Sequence, residues 1–487
     1  MLRKQIGWDF DNTYSKLSKN LLSKINPIPV RKPKLIIFND LLADELGLNF
    51  TNIASSEIAN IFSGNQLPEG SETIAQAYAG HQFGHFTILG DGRALMIGEH
   101  VTKNKQRFDI QFKGSGKTPY SRNADGRAAL GPMLREYLIS EAMHALKIKT
   151  TRSLAVVETG ENVEREKILK GAILTRVASS HIRVGTFQYA LISEKKDDLK
   201  NLFEYTINRH FPNLKDSKNQ AINFLRHVQN KQIELVCDWM RVGFVHGVMN
   251  TDNMAISGET IDYGPCAFMD RYDPNTVFSS IDLNGRYAYS NQPAITLWNL
   301  ERLAECLIPI IHNDRKKSIE MAKEVLRDFP TKYKKTWLKM MRSKLGIFDE
   351  DPKDESIIIE LLTWMHKYKV DYTNTFCHLM DKFDGQNQIY KDEEFISWKE
   401  KWALRKKIKK VNPQLSLDLM KKTNPLVVPR NEQVEKALKD ACEENNMVKF
   451  NELNKILSEP YKGSSLLKKY QLPASDTNKK YVTFCGT

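Results

Sequence analysis

The feature that most constrains this chain is a short run of polar residues around two sharp turns near its middle. The segment His246 to Asn253 is followed, nine residues after Asn253, by Asp262-Tyr263-Gly264. An Asn and an Asp that converge from a strand, a turn and a second strand hold Mg²⁺ between phosphate groups. Asn253 and Asp262 have the order and spacing of such a pair. Each piece alone is common in ordinary turns, so this interpretation depends on the residues that precede them.

A second set of residues, in the preceding part of the chain, supports it. Short apolar runs on both sides of Gly90 to Arg93 predict a β-hairpin with a glycine-rich tip, and a third strand ends at Lys113. Glu136 follows 23 residues later, inside the helical pattern from Arg127 to Leu146. In the small lobe of protein kinases, a strand lysine contacts phosphate oxygens and is oriented by a helix glutamate. Either residue alone would be interpreted as a surface side chain, but the two sets in this order predict an α+β, protein-kinase-like bilobal fold.

Changes of pattern along the chain predict four units. These are an N-terminal extension (1–80), a small β-rich lobe (81–190), a larger helical lobe (191–411) and a C-terminal tail that wraps around the protein (412–487). The extension contains one clear helix, which begins after Asn39 or Asp40 and ends at Gly47. In the helical lobe the clearest early helices are Asp198 to His210 and Ala221 to Met240.

One position departs from the kinase pattern. Two residues after His246, where a kinase carries its catalytic aspartate, this chain has Val248, which cannot accept a hydroxyl proton. Ordinary phosphoryl transfer is therefore not expected. Asp252 is the nearby carboxylate that can replace the missing one, although an aspartate in a turn can also serve as a cap.

Two arginines extend the candidate site. Arg176 and Arg183 lie near the boundary between the lobes, and planar guanidinium groups bind phosphate oxygens in bidentate fashion. A structural role is the alternative for isolated arginines, so their significance depends on the rest of the site.

Composition limits the partners. No apolar run approaches the 18 or more residues of a membrane span, and the 6 cysteines contain no CxxC pair that would indicate structural zinc or a disulfide framework. The net charge of +13 favours anionic partners, but no aromatic stacking pattern accompanies the basic segments, so specific nucleic-acid binding is not expected. The first residues have neither the apolar core of a signal peptide nor the acid-poor composition of a transit peptide. We expect a cytoplasmic monomer without a membrane partner.

Longer segments resemble the selenoprotein O family, which comprises kinase-fold protein nucleotidyltransferases. They are Tyr78 to Gly84, Lys113 to Arg122, Asp125 to Ala128, His246 to Asn253, Asp262 to Cys266 and Gly285 to Tyr287. The likeness runs from about residue 35 to the C-terminus. It implies a pseudokinase that binds ATP in an inverted orientation and transfers AMP to Ser, Thr or Tyr hydroxyls of proteins, with release of pyrophosphate. Transfer of UMP from UTP in a manganese-dependent reaction is another activity that the resemblance implies.

The resemblance also implies roles for individual residues. Those that would bind the nucleotide are Gly90, Gly92, Arg93, Lys113, Asp125, Gly126, Arg176, Arg183 and Asp262. Asn253 and Asp262 would hold Mg²⁺ or Mn²⁺, and Asp252 would accept the proton. Glu136 would pair with Lys113.

A redox contact is implied as well. Cys485 occupies the position where some family members carry selenocysteine, and the resemblance implies a regulatory disulfide between Cys485 and Cys266. The alternative is a pair of thiols, because cysteines in the cytosol are usually reduced.

Two other functions fit some of the same residues. The missing aspartate at Val248 is also expected of a catalytically silent, nucleotide-binding scaffold, although a scaffold does not need both Asn253 and Asp262. A phosphoryl-transferring kinase is the other alternative. The sequence does not choose between ATP and UTP, and it does not identify the protein substrates.

Overall fold

An antiparallel sheet forms the N-terminal part of the computed structural model, which describes residues 6–195, 197–383, 388–407, 412–474 and 481–483. Its strands are β1 (Leu22–Lys24), β2 (Lys34–Phe38), β3 (Ile74–Gln82), β4 (His85–Gly90), β5 (Ala94–Val101), β6 (Arg107–Lys113), β7 (Ala128–Ala129), β8 (Arg152–Glu164) and β9 (Ile168–Ala178). Their order is β1-β3-β5-β6-β9-β8-β2, with β4 paired to β3 and β7 paired to β9. The first 80 residues thus contribute strands at both ends of the sheet, and the division of the chain into four units stays a prediction.

The glycine-rich turn at Gly90 is not the tip of a hairpin, so that prediction was wrong. Strand β4 pairs with β3 up to Gly90, and β5 then pairs with the same strand at Ile74–Met96, so β4 and β5 lie end to end. The tip is instead Phe83-Gly84, between β3 and β4, where both residues have positive φ (51° and 92°). A two-residue hairpin loop of type I′ requires this backbone conformation. The turns at Phe83-Gly84 and at Gly90 to Arg93 both contain glycine between apolar runs. Only the strand pairing shows which of the two is the hairpin tip.

The helix predicted in the N-terminal extension is confirmed as α1 (Asp40–Leu46), and α2 (Ser55–Phe62) follows it. The Asn39 side chain accepts a hydrogen bond from the amide of Leu42, which caps the first turn. Gly47 ends the helix with a φ of 77°, a conformation that glycine adopts at little cost. Both signals are local, which is why the sequence was sufficient to place this helix.

Helix α3 (Leu130–Ala145) lies against β8 and β9 and carries Glu136. It is buried on most of its faces, because the sheet covers one side and helices from the end of the chain cover another. Leu134 and Leu138 belong to the same core cluster as Val434 and Phe450 from the tail. The wrapping tail thus helps to fix the helix that presents Glu136.

The rest of the described chain is mainly helical. The helices are α4 (Val184–Ile192), α5 (Asp198–His210), α6 (Gln220–Val242), α7 (Gln292–Ile311), α8 (Arg315–Arg327), α9 (Phe329–Lys344), α10 (Asp354–Lys367), α11 (Tyr372–His378), α12 (Glu393–Lys407), α13 (Pro413–Thr423), α14 (Asn431–Glu443), α15 (Val448–Leu457) and α16 (Leu467–Gln471). The prediction for α5 is confirmed at both ends. After α6 a two-stranded unit, β10 (Phe244–Val245) and β11 (Ala267–Phe268), frames the polar loop between them. None of the helices built from described residues combines the length and apolar character needed to cross a membrane.

A buried histidine gives the stability of the fold a testable pH dependence. His181 is fully buried, and its Nδ1 lies 3.1 Å from Asp109 Oδ2. Burial lowers the pKa of His181 to about 4, although Asp109 opposes the shift. The unfolded chain, with a histidine pKa near 6.5, therefore binds more protons between about pH 4 and 6.5, and stability is lost as the pH falls through this window.

The variant His181→Asn keeps a donor near Asp109 but cannot take up a proton. Between pH 7 and pH 5 its free energy of unfolding should fall by about 2 kcal/mol less than that of the wild type. Denaturant unfolding at the two pH values measures this difference, and the comparison cancels the contributions of other buried groups. Equal pH dependence of the two proteins would contradict the assignment.

Candidate active site

Two cations and two carboxylates meet where the sheet, α3 and the polar loop come together. Lys113, at the end of β6, places Nζ 2.7 Å from Glu136 Oε2 and 3.0 Å from Asp262 Oδ1. Arg176, on the neighbouring β9, places Nε 2.9 Å from Glu136 Oε1 and Nη2 2.6 Å from Asp262 Oδ1. Residues up to 149 positions apart in the chain are thereby joined in one network.

The charges in this network hold its carboxylates ionised. Burial disfavours the charged form of Asp262, but Arg176, Lys113 and Arg183 outweigh it and keep the pKa of Asp262 well below its usual range. The pKa of Glu136 is also lowered, because Arg176 and Lys113 outweigh its burial. Lys113, Arg176 and Arg183 thus bring three cationic side chains to one place, and such side chains suit phosphate oxygens.

Arg183 is the least satisfied member of the site. Its side chain is 2% exposed, and neither Nε nor Nη1 has a hydrogen-bond partner among the described residues. The guanidinium lies over the ring of Tyr78 at 4.3 Å, with Nη1 3.8 Å from Asp91 Oδ1 and Nη2 3.9 Å from Asp262 Oδ2. Buried N–H groups without partners cost free energy, and an anion bound here would satisfy them.

Asp91 is a site residue that the sequence analysis did not identify. Its carboxylate accepts a hydrogen bond from the Gln76 amide at 3.0 Å and faces Arg183. Burial raises the pKa of Asp91 to about 6, and Arg183 partly offsets the shift. Asp91 lies between Gly90 and Gly92, so the glycine pair could have drawn attention to it, but no spacing rule links it to an arginine 92 positions away.

Asp252 lies in a short 3₁₀ turn, Thr251–Asn253. The residue is 8% exposed, and its Oδ1 has no hydrogen-bond partner among the residues that the structure describes. Burial raises the pKa of Asp252 to about 7. A carboxylate with this pKa is partly ionised near neutral pH, and its ionised form can accept a proton from a hydroxyl.

The β3–β4 hairpin covers Asp252. The amide of His81 donates to Thr251 Oγ1 at 2.7 Å, and the amide of Phe83 donates to Asn250 Oδ1 at 3.0 Å. Gly80 lies against the Asp252 carboxyl so closely that a Cβ at this position would be 2.1 Å from Oδ1. The hairpin and the polar loop therefore fit together only because residue 80 lacks a side chain.

Replacing Gly80 with Ala tests this fit. The added Cβ would displace the Asp252 carboxyl, and we expect nucleotide transfer to fall by about tenfold to 10²-fold, a range that misplacement of about 1 Å can cause. Binding of ATP, measured by calorimetry, should change little, because the added methyl group meets Asp252 and Leu89 and none of the three cationic side chains. Unchanged transfer activity would show that the hairpin does not constrain Asp252.

The turn from Gly90 to Arg93 is built against a second loop. The Thr118 hydroxyl donates to the Asp91 carbonyl at 2.7 Å. A Cβ on Gly90 would be 2.4 Å from the Tyr120 ring, and a Cβ on Gly92 would be 2.9 Å from the Tyr120 carbonyl. Asp91, in this turn, lies 3.8 Å from Arg183. Gly90 and Gly92 therefore flank the residue that faces Arg183.

Asp125 and Gly126 are placed differently from the other predicted nucleotide-binding residues. Asp125 is 42% exposed at its side chain and pairs with Arg165 Nη1 at 2.9 Å. The carbonyl of Gly126 accepts from the amide of Gly116 at 3.0 Å, which ties this loop to the segment after Lys113. In the part of the chain that is described, no polar contact joins Asp125 to the Lys113 network.

Asn253 and Asp262 carry side-chain oxygens of the kind that a divalent cation would need. Asn253 Nδ2 donates to the Val248 carbonyl at 3.0 Å, which leaves its Oδ1 as the oxygen for a ligand. No cluster of three His, Cys, Asp or Glu occurs among the described residues. Mg²⁺ commonly binds through one or two protein oxygens together with substrate phosphates, so two oxygen donors are sufficient.

Of the two cysteines in the implied disulfide, Cys266 lies within the described residues. Cys266 is buried next to β11, and its carbonyl accepts from Arg135 Nη2 at 2.7 Å. Cys485 lies outside the described residues. Thr483, two positions before it, donates from Oγ1 to the carbonyl of Pro265 at 2.7 Å.

The sheet with its lysine and glutamate, the helical part and the framed polar loop together define a protein of the kinase-like class, with Val248 at the position of the kinase aspartate. The comparisons with known proteins specify the class further. Residues 4–458 match the family described as protein adenylyltransferase SelO. The chain belongs to the SelO family.

Curated relatives agree with this assignment. A protein nucleotidyltransferase YdiU from Pelagibacter ubique is 58% identical over 482 residues, which cover 99% of this chain and 100% of that protein. Proteins of the same name from Nitrosococcus oceani and Bacillus cytotoxicus are 55% and 53% identical, and each alignment covers 100% of this chain and 99% of the relative. The solved structure of ROP2 from Toxoplasma gondii, described as having a protein-kinase fold and no enzymatic activity, matches 69% of this chain and 88% of its own at 8% identity and a TM-score of 0.24.

Proposed function

We propose that this chain transfers AMP from ATP to Ser, Thr or Tyr hydroxyls of proteins. The acceptor oxygen attacks the α-phosphorus, the bond between the α-phosphorus and the bridging oxygen breaks, and pyrophosphate leaves. The hydroxyl proton passes to Asp252. The observation that carries the proposal is the buried Asp252 carboxyl next to Asn253. Its pKa is about 7, and its Oδ1 has no hydrogen-bond partner among the described residues. The same loop has Val248 where a kinase carries its catalytic aspartate.

The three cationic side chains of the site support binding of a triphosphate. Lys113 and Arg176 are held by Glu136, and Arg183 has buried N–H groups without partners. These groups would bind phosphate oxygens, together with the backbone of the turn from Gly90 to Arg93. We propose an inverted ATP, in which the phosphate tail points to these arginines and the α-phosphorus faces Asp252.

Asn253 and Asp262 would hold Mg²⁺ or Mn²⁺. A divalent cation bound there would neutralise phosphate charge as pyrophosphate departs. The contribution of the chain itself is to position the α-phosphorus and the hydroxyl and to accept the proton. Asp125 and Gly126 are proposed to contact the nucleotide from the loop that follows Lys113.

Mass spectrometry of proteins from cells that produce the active enzyme tests the proposal. We expect AMP adducts on Ser, Thr or Tyr that are absent when the Asp252→Asn variant is produced instead. Competition between ATP and UTP in vitro, with Mg²⁺ and then Mn²⁺, would show which nucleotide is preferred. The absence of nucleotide adducts on any protein would refute the function.

We propose that Cys266 and Cys485 form a disulfide that regulates the enzyme in the cytoplasm. The hydrogen bond of Thr483 to the Pro265 carbonyl supports it, because Thr483 is two positions before Cys485 in the sequence and Pro265 is adjacent to Cys266. Reductant should change the activity of the wild type and leave that of Cys485→Ser unchanged. An equal response of both proteins would count against the disulfide.

A further inference from the structure

An arginine–tryptophan–arginine stack lies beside the hairpin that covers Asp252. Trp298, on α7, has Arg286 over one side of its ring system at 4.8 Å and also packs against Arg302 at 4.7 Å. The ring of Trp298 lies 5.2 Å from that of His81, which also contacts Phe86 at 5.2 Å. The stack therefore contacts the hairpin that covers Asp252.

Arg286 is fixed in place without an ion pair in the described part of the protein. Asp282 Oδ1 accepts from the amide of Arg286 at 2.9 Å, and Asp282 Oδ2 accepts from the amide of Tyr287 at 2.8 Å. The Tyr287 hydroxyl donates to Asn250 at 2.6 Å, two positions before Asp252. The buried Nε atoms of Arg286 and Arg302 have no hydrogen-bond partner among the described residues. Arg302 already pairs with Glu305 at 2.6 Å, so Arg286 is the guanidinium of the stack that can take a further carboxylate.

A cavity begins at Arg302 and continues between α7 and α8. Its volume is 1190 Å³, and its walls are mainly apolar, with Leu297 and Ile308 from α7, Leu326 from α8 and Leu191 from α4. Four cations line it, namely Arg302, Arg315, Lys323 and Arg327, against two carboxylates, Glu301 and Glu305. The cavity thus has apolar walls and a basic rim.

We propose that the stack and this cavity bind the acceptor protein through a segment that combines acidic and apolar side chains. A carboxylate of that segment pairs with Arg286, and apolar side chains enter the cavity between α7 and α8. This inference rests on the proposed function, because it names the class of protein segment that delivers the hydroxyl to Asp252. Charge complementarity with the basic rim and continuity with the site select this occupant.

The dimensions agree with one continuous segment. From Trp298 to Pro309 the α7 axis advances about 16 Å, at 1.5 Å per residue. An extended peptide covers this length in about five residues. A hydroxyl near the hairpin and apolar side chains in the cavity therefore fit within one stretch of roughly ten residues.

A positional-scanning peptide library tests the proposal directly. Each peptide has a central Ser and one fixed neighbour, and labelling with α-labelled ATP reports acceptance. We expect a preference for Asp or Glu and for Leu, Ile or Phe at defined positions. The best peptide then provides KM values for peptide and for ATP.

Two variants test whether the stack and the cavity cause this preference for acidic and apolar neighbours. Arg286→Glu and Ile308→Glu should each raise the KM for the best peptide about tenfold, while the KM for ATP and kcat stay unchanged. Arg286→Lys should restore part of the loss in Arg286→Glu because it keeps the charge. Arg226→Glu makes the same charge reversal at an exposed residue of α6 and is the control. It should leave the KM for the peptide unchanged.

The outcomes separate this inference from the proposed function. Labelled peptides without an acidic and apolar preference, or the same preference in Arg286→Glu, would overturn the docking surface and leave AMP transfer intact. Peptides that stay unlabelled while full-length proteins are labelled would also overturn it. No α-label on any protein would refute the proposed function itself.

Discussion

Replacing Asp252 with Asn should lower AMP transfer by about 10²–10⁴-fold, the usual contribution of a positioned general base. Asn has nearly the same shape, so the turn and the hairpin contacts around it should persist. It cannot accept the hydroxyl proton, and the acceptor oxygen would have to attack without assistance. Single-turnover kinetics with saturating ATP measures the loss at the chemical step. Calorimetry should show ATP affinity within about twofold of the wild type, since the cations proposed to bind phosphate are untouched.

A matched variant controls for loss of any buried carboxylate. Glu259→Gln removes a carboxyl that is held by Ser179 and Ser257 away from the Lys113 network, and its pKa is also raised by burial. This variant should retain transfer activity. Full activity of Asp252→Asn would show that another group accepts the proton, whereas a wild type that binds ATP without transferring AMP would favour the catalytically silent scaffold.

Replacing Asp262 with Asn should lower transfer by about 10³-fold, equivalent to roughly 4 kcal/mol of transition-state stabilisation. Asp262 is the carboxylate that both contacts Lys113 and Arg176 and would ligate the cation, so its loss changes the charge balance and the metal site together. The dependence of the residual rate on Mg²⁺ or Mn²⁺ should shift to higher concentrations. Metal titrations of both proteins at saturating ATP measure this shift.

Glu136→Gln distinguishes the two roles of this network. It removes the partner of Lys113 and Arg176 but no proposed metal ligand, so ATP affinity should fall while the metal dependence of the rate stays as in the wild type. If Asp262→Asn keeps more than a tenth of the wild-type rate with unchanged metal dependence, the assignment of Asp262 is wrong.

The sequence was informative where a feature depends on local signals or on the order of parts. The cap at Asn39 and the end at Gly47 placed α1, and the Lys113–Glu136 spacing placed a lysine and a glutamate 2.7 Å apart. The hairpin tip was misplaced because two glycine breaks look alike in sequence, and only pairing with β3 shows that the tip is Phe83-Gly84.

Other features depend on three-dimensional packing and were not accessible from the pattern. The contact of Asp91 with Arg183 joins a turn to the residue that precedes α4, and the contact of Gly80 with Asp252 joins strand β3 to the polar loop. Neither contact has a sequence spacing that recurs in helices or strands. The pairing of Asp125 with Arg165 was likewise invisible, since it depends on the way in which the β8–β9 turn folds back.

The position of the label transferred from ATP distinguishes AMP transfer from phosphoryl transfer. The purified enzyme is incubated with an acceptor protein and with ATP labelled at either the α- or the γ-phosphate, and the washed protein is counted. We predict protein-bound label from α-labelled ATP alone, and strongly reduced label with Asp252→Asn. Label from the γ-position would identify a phosphoryl-transferring kinase and contradict the account.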